Sequence, residues 1–240
     1  MDLAIDIGNS SCKAGLYDRG RKVSIDVPES PDKAFIENIL LTNDISRAIL
    51  SSVRKEDSLF KDILEKSGVS TTVLSHTTPL PFKLLYETPE SLGTDRLAAV
   101  AAAYSMFPDT NVLVIDAGTA VTYDLLDSVK NYIGGNISPG LQMRFRALNE
   151  FTGRLPLVSK SDIFGNLGVN TTDAIRSGVQ TGLIFEINEY IRNLKINYSG
   201  LKVIITGGDA DFFSSKIESE CIVNRDLVID GLNYILNYNA

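Results

Sequence analysis

The sequence predicts a mixed α/β fold made of two related halves that face each other across a cleft. Three observations predict it. One pattern occurs twice: residues 3–9 read Leu-Ala-Ile-Asp-Ile-Gly-Asn and residues 113–119 read Leu-Val-Ile-Asp-Ala-Gly-Thr, so Asp6 and Asp116 stand 110 positions apart. In each copy a second apolar run follows the turn, Cys12–Tyr17 and Val121–Leu126, the signature of a strand, a tight turn and a returning strand. The first half then reads β-β-β-α-β-α-β, a leading meander followed by crossover helices, and no G-x-G-x-x-G follows its first strand. That order disfavours a dinucleotide-binding unit.

The repeated turn has a chemical reading and a plain one. A strand that delivers a carboxylate and then a glycine builds half a phosphate site: the glycine lets backbone N–H groups approach an oxyanion, and the carboxylate can hold a hydrated cation. Asp-x-Gly between apolar runs is equally an ordinary hairpin turn. A lone copy favours the turn; two copies at domain-sized spacing favour a site.

The remaining elements follow in order. Lys22–Val27 is a third strand, and Asp32–Leu41 a short helix with Ala34, Ile36, Ile39 and Leu40 on its apolar stripe. Arg47–Val53 is a strand, Asp57–Lys66 a helix that stops at Gly68, and Thr71–Ser75 another strand. Tyr86–Arg96 is a loop that feeds an alanine-rich helix over Leu97–Phe107. Asp95 at the entry of that helix complements the helix dipole. Arg96 opposes it, which suggests an anionic partner.

Pro108-Asp109 marks the boundary between a half spanning 1–108 and a half spanning 109–240. In the second half, a strand over Asn131–Ile137 runs into the glycine-rich loop Gly134–Gly140. Ser138 and Pro139 there suit the N-cap and first position of a helix over Gly140–Glu150. Such a loop at a helix start is also an anion site. Thr152–Pro156 breaks the chain, and Gly165–Gly168 is a second loop. Asn170-Thr171-Thr172-Asp173 opens the longest helix, Ala174 to about Ile196, with Ile175, Val179, Ile184, Ile187 and Ile191 buried. Lys202–Thr206 is a strand ending in Gly207-Gly208-Asp209, and Leu227–Leu236 is a closing amphipathic helix.

Bulk properties exclude several functions. At 240 residues, 44% hydrophobic and 22% charged, the chain is an ordinary globular protein with room for a full core. A net charge of −7 without a Lys/Arg cluster argues against nucleic-acid binding. Two cysteines, Cys12 and Cys221, and one histidine, His76, are too few for a structural zinc site; the cysteines read as inert core and His76 as a surface loop. No basic leader and no membrane-length apolar run stand out, so a soluble, cytoplasmic protein is expected.

Six stretches together carry a family resemblance. They are Asp6-Ile7-Gly8-Asn9-Ser10-Ser11-Cys12-Lys13, Gly93-Thr94-Asp95-Arg96, Asp116-Ala117-Gly118-Thr119-Ala120-Val121-Thr122, Gly134-Gly135-Asn136-Ile137-Ser138-Pro139-Gly140, Asn170-Thr171 with Ser177-Gly178, and Thr206-Gly207-Gly208-Asp209. Their order resembles the superfamily of acetate kinase, actin and the seventy-kilodalton heat-shock proteins. Within it the chain resembles the type III pantothenate kinases, nearly end to end. Ser10 stands where the family more often has threonine, and Gly153-Arg154 replaces a usual small polar pair before Leu155-Pro156.

The resemblance implies duplicated ribonuclease-H-like (actin-like ATPase) domains. Each would be a mixed five-stranded sheet flanked by helices, with the active site in the cleft between them. It implies ATP-dependent phosphorylation of pantothenate, the first step toward coenzyme A. On this likeness Asp6 holds Mg²⁺ through water, while Ile7, Gly8, Asn9, Ser10, Ser11, Cys12 and Lys13 form the first phosphate turn. Thr119 contacts ATP, and Asp116 binds a monovalent cation, K⁺ or NH₄⁺. Asp95 is the general base, a role open to an ionised carboxylate within reach of the hydroxyl. Tyr86, Gly93, Thr94, Arg96 and Thr171 bind pantothenate, with Arg96 suited to an anionic group. A homodimer is implied, Thr171 reaching the partner's pocket. The alternatives are another small-molecule phosphotransferase of the superfamily and a non-catalytic nucleotide-binding regulatory relative.

Overall fold

The structure, a computed structural model, describes residues 1–8, 11–29, 31–52 and 58–240. The strands are β1 (Asp2–Ile7), β2 (Cys12–Asp18), β3 (Arg21–Asp26), β4 (Arg47–Ser52), β5 (Ser70–Val73), β6 (Lys83–Leu84), β7 (Val112–Ala117), β8 (Ala120–Leu126), β9 (Asn131–Pro139), β10 (Lys202–Thr206) and β11 (Ile222–Val223). The helices are α1 (Lys33–Thr42), α2 (Ser58–Lys66), α3 (Thr94–Met106), α4 (Leu141–Glu150), α5 (Thr171–Asn197), α6 (Ala210–Ser214) and α7 (Leu227–Tyr238).

The duplication is legible in the strand pairing. In the first sheet, ordered β3-β2-β1-β4-β5, β1, β2 and β3 form an antiparallel meander, and β4 and β5 add in parallel beyond β1. The second sheet is ordered β11-β10-β7-β8-β9-β6. There β7 pairs antiparallel with β8, and β10 and β11 add in parallel beyond β7. Strands β7 to β11 thus repeat the plan of β1 to β5, and the two-residue β6 is an addition to the expected five strands. In both copies the first strand is buried at nearly every position, as a central strand covered on both faces must be.

The chain forms two compact units. The first is Met1–Asp109 with Ser128–Gly134 and Asp226–Ala240; the second is Thr110–Asp127 with Gly135–Arg225. The units are not consecutive in sequence: Ser128–Gly134 and Asp226–Ala240 belong with Met1–Asp109. Helix α7, which follows the second sheet, packs on α3 in the first unit. Gly231 makes that crossing possible: a Cβ there would lie 1.8 Å from the carbonyl oxygen of Ala98. The first unit's core gathers Leu3, Ile5, Ala14, Ile36, Ala48 and Leu64; the second's gathers Ile115, Tyr123, Phe145, Leu183, Ile187 and Phe213.

Several element boundaries differ from the sequence reading. Helix α3 starts at Thr94 rather than Leu97, so Asp95 and Arg96 lie in its first turn; Leu97 N closes that turn on Gly93 O at 3.2 Å. The glycine-rich stretch 134–139 is not a loop but the second part of β9. Ser138 is not the N-cap of α4; Gly140 is. Arg144 explains the change, donating from Nη2 to Ser138 Oγ (2.8 Å) and from Nε to Pro139 O (2.7 Å). The longest helix begins at Thr171, capped by Asn170 Oδ1 accepting from Asp173 N at 3.0 Å. Cys12 is buried in β2, whereas Cys221 precedes β11 and is half-buried, packed against the edge of the second unit's core. His76 is exposed in a turn. No helix among the described residues is long and apolar enough to cross a membrane.

Candidate active site

In the first unit, β1 ends by setting Asp6 beside two other chain segments. Gly8 N donates to Ser11 O (2.9 Å) and closes the turn into β2; Asn9 and Ser10, expected at the phosphates, lie outside the described residues. Asp6 faces Lys13 in the antiparallel register and Ser51 in the parallel one. Ser51, fully buried, donates from Oγ to Asp6 Oδ1 at 2.9 Å and lies 3.0 Å from Thr94 Oγ1. A hydroxyl has one proton to give, so Thr94 donates to Ser51 while Ser51 donates to Asp6. This relay ties the Asp6 carboxylate to the start of α3.

Asp95 is the next residue along that helix. Its Oδ1 accepts from Arg96 N at 2.8 Å, folding the carboxylate back over the helix entry. Gly93 clears the space: a Cβ there would stand 2.4 Å from Asp95 Oδ1. The Asp6 carboxyl titrates at about 6, well above its ordinary 3.8. Burial is the main cause and the Asp95 charge adds to it, while the Ser51 hydrogen bond and the Lys13 charge work the other way. Two carboxylates held near each other with too little compensating charge are a fitting place for a cation. Magnesium commonly takes one or two carboxylates and completes its shell with water and phosphate, so the small number of acids suits it. Among the described residues no group of three or more His, Cys, Asp or Glu gathers as a metal cage.

Lys13 Nζ is 3.1 Å from Asp226 Oδ1, and Lys22 Nζ is 3.1 Å from Asp226 Oδ2. Burial disfavours the charge on Asp226, but hydrogen bonds from Lys22 and Lys13 outweigh it and hold the carboxyl below its ordinary value. Lys13 is thereby anchored on the same sheet face as Asp6. Ile7 and Cys12 are buried partners in the β1–β2 register and shape the turn through the backbone. Arg96, only 7% exposed, donates from Nη2 to Tyr132 Oη at 3.0 Å, and its guanidinium carbon lies 5.9 Å from the centre of the Tyr86 ring.

In the second unit the matching turn is a hub of close backbone approaches. Gly118 N donates to Ala120 O (3.0 Å), and Gly140 N to Thr119 O (3.1 Å). A Cβ on Gly140 would lie 2.3 Å from Gly118 O; one on Gly207 would lie 2.4 Å from Asp116 Oδ1. Gly207 also has φ +91°, and Asp209 N donates to Ala117 O at 2.9 Å. Two glycine-bearing stretches, far apart in sequence, thus converge on the Gly118 turn at residues 116–119. Asp116 faces Thr206 across the sheet, as Asp6 faces Ser51, and both hydroxyl residues are buried. Thr119 is exposed on the turn itself. Thr171 stands elsewhere in this unit, at the first position of α5, on a groove of ≈ 560 Å³ lined also by Leu148, Leu155 and Val169.

The structure therefore brings Asp6, Lys13, Thr94 and Asp95 together, with Arg96 and Tyr86 adjoining, in the first unit. Asp116 and Thr119 share a turn in the second, and Thr171 does not line that turn. Sequence reasoning missed Ser51 and Tyr132, and gave Thr206 no role beyond its place in the Thr206–Asp209 stretch. The hydroxyl residues had a weak signal, a polar side chain at the end of an otherwise apolar strand; Tyr132 had none.

Comparisons with known proteins identify the family and the fold. A family model for type III pantothenate kinase matches residues 2–193. A Bacteroides fragilis type III pantothenate kinase is 45% identical over 239 residues, covering 100% of this chain and 98% of the relative. One from Porphyromonas gingivalis is 40% identical over 243 residues, covering 100% and 99%. Among solved structures, a Campylobacter jejuni protein described as a Baf family transcriptional activator superposes with TM-score 0.65 at 23% identity, covering 99% of this chain and 98% of its own. A Sinorhizobium meliloti protein described as a 2-dehydro-3-deoxygalactonokinase superposes with TM-score 0.62 at 12% identity, covering 99% of each chain. Those two likenesses establish the fold, a duplicated ribonuclease-H-like architecture of the actin-like ATPase and sugar-kinase kind. The full-length matches establish the family: this chain belongs to the type III pantothenate kinases.

Proposed function

We propose that this chain transfers the terminal phosphoryl group of ATP to the primary hydroxyl of pantothenate, giving 4'-phosphopantothenate for coenzyme A synthesis. The observation that carries the reading, beside the family match, is the seating of Asp95. One of its oxygens is anchored on its own helix amide over a glycine that leaves room for it, so the carboxylate has a fixed direction. Phosphoryl transfer asks for positioning, neutralised phosphate charge and an acceptor for the hydroxyl proton. Asp95 orients the hydroxyl and accepts its proton as the oxygen bonds to phosphorus. Asp6 is the residue that would hold Mg²⁺ through water, and that ion, when bound, neutralises charge on the phosphate oxygens. The segment that joins β1 to β2 meets the phosphates of the nucleotide, and Lys13 contributes a fixed positive charge.

Arg96 binds the carboxylate of pantothenate, with Tyr86 as an apolar wall. Asp116 binds a monovalent cation, K⁺ or NH₄⁺, and Thr119 contacts ATP. Thr171 acts from a second copy of the chain in a homodimer. Its exposure, and the apolar side chains of Leu167 and Val169 left in water near it, support that placement.

The test is a coupled assay of ADP release with and without pantothenate, Mg²⁺ and K⁺, beside Asp95→Asn. Pantothenate-dependent turnover that needs Mg²⁺ and K⁺ is expected. Asp95→Asn should lower kcat by about 10²–10⁴-fold, the range of general acid–base catalysis, with ATP still bound. Turnover that survives the substitution removes Asp95 as the base. Nucleotide binding without pantothenate-dependent turnover points instead to the regulatory relative or to another acceptor.

A further inference from the structure

Arg96 is an expensive residue where it stands. It is buried, it is charged, and it lies in the first turn of a helix, where the dipole disfavours a cation. Two aromatic residues hold its guanidinium. Tyr132 Oη accepts from Nη2 at 3.0 Å, and the Tyr86 ring lies beneath the guanidinium. These two groups set the orientation of the guanidinium.

One strand pairing delivers both aromatic rings. Lys83 and Leu84 of β6 pair with Asn131 and Tyr132 of β9, and Leu85 N donates to Tyr132 O at 3.0 Å. Tyr132 is thus fixed by its backbone and is completely buried. Tyr86 follows two residues beyond β6, its ring centre 6.1 Å from that of Tyr132. The two-residue strand that exceeds the duplicated plan therefore serves to bring a phenol and a ring face to Arg96.

We propose that Tyr132 is a positioning residue for the anionic end of the substrate, acting through Arg96. The proposal rests on the pantothenate reading and deepens it: Tyr132 sets the plane in which the guanidinium fork meets a carboxylate. It acts on recognition of the acid, not on the transfer step.

The experiment compares Tyr132→Phe with the unaltered protein, using pantothenate and its neutral alcohol and amide analogues, which keep the reacting hydroxyl. KM for pantothenate should rise about tenfold, the order expected for losing a hydrogen bond to a charged group. Over the same comparison, kcat and the KM values for the neutral analogues should stay within about twofold. In an Arg96→Ala background, Tyr132→Phe should add nothing to the loss for pantothenate. Tyr132→Met, which fills the space without a hydroxyl, should behave like Tyr132→Phe. Equal losses for acid and neutral analogues, additive losses in the Arg96→Ala background, or failure of both Tyr132 variants to fold would each make Tyr132 a core residue and overturn the proposal. Absence of pantothenate-dependent turnover in the unaltered protein would overturn the functional reading itself, and this proposal with it.

Discussion

Asp6→Asn should make the ligand-free protein more stable and inactive at once. The folded structure holds the Asp6 carboxyl at about 6 against an ordinary 3.8, chiefly because it is buried and because Asp95 is close. A folded-state value above the unfolded one means that the native state binds the extra proton between those two pH values. Stability from this group is therefore greatest at low pH and falls as pH rises through the window from about 4 to about 6. At pH 8 the ionised carboxylate costs the fold about 3 kcal/mol, and at pH 4.5 about 1 kcal/mol. Asparagine keeps an oxygen to accept from Ser51 but carries no charge. Its advantage should therefore be up to about 3 kcal/mol at pH 8, a rise in Tm of about 5–10 °C for a chain of this size. That advantage should shrink to about a third at pH 4.5. The assay is denaturant and thermal unfolding of both proteins in EDTA without nucleotide, at the two pH values. The same variant should lose the stabilisation that Mg²⁺ with ATP confers on the unaltered protein. A variant less stable than the parent at pH 8, or a gap independent of pH, would refute the reasoning.

Two glycine substitutions separate position from stability. Gly93→Ala places a Cβ against the end of the Asp95 side chain, which can swing aside, so unfolding free energy should change by less than about 1 kcal/mol. The displaced carboxylate should nevertheless lower kcat by about 10²-fold, as a misplacement of about 1 Å can; a normal kcat would show that the seat of Asp95 does not matter. Gly207→Ala meets Asp116 Oδ1 and the backbone of Ala117 and also puts alanine at positive φ. It should destabilise the chain by at least about 1–3 kcal/mol and weaken nucleotide binding, both measurable by thermal shift with and without ATP.

What was readable in advance depended on how local its cause is. The strands that flank the two Asp-x-Gly turns follow from short-range pattern, and the long helix after Asn170 follows from capping, though it starts at Thr171, three residues before Ala174. The start of α3 was read three residues late because Thr94-Asp95-Arg96 carries no apolar periodicity. Those residues are helical because Gly93 admits the turn, and because Thr94 and Arg96 find partners in Ser51 and Tyr132. The stretch 134–139 looked like a loop for its glycines, yet continues β9. Arg144, five and six residues on, holds its far end through side-chain bonds to Pro139 O and Ser138 Oγ that neither strand alternation nor helix periodicity encodes.

By itself the sequence determined the duplicated plan, the identity of the carboxylates and the motif order that places the chain in its family. Repetition, strand alternation and motif spacing are properties of the linear chain. Tertiary structure alone decided which groups work as partners: Ser51 with Asp6, Tyr132 with Arg96, Gly140 and Gly207 with the second carboxylate turn, and α7 with the first unit. Each of these joins residues more than 20 positions apart, and each depends on strand register or helix crossing. Hydrogen bonds and close backbone approaches act over a few ångströms, so only the folded chain determines which distant residues come within reach.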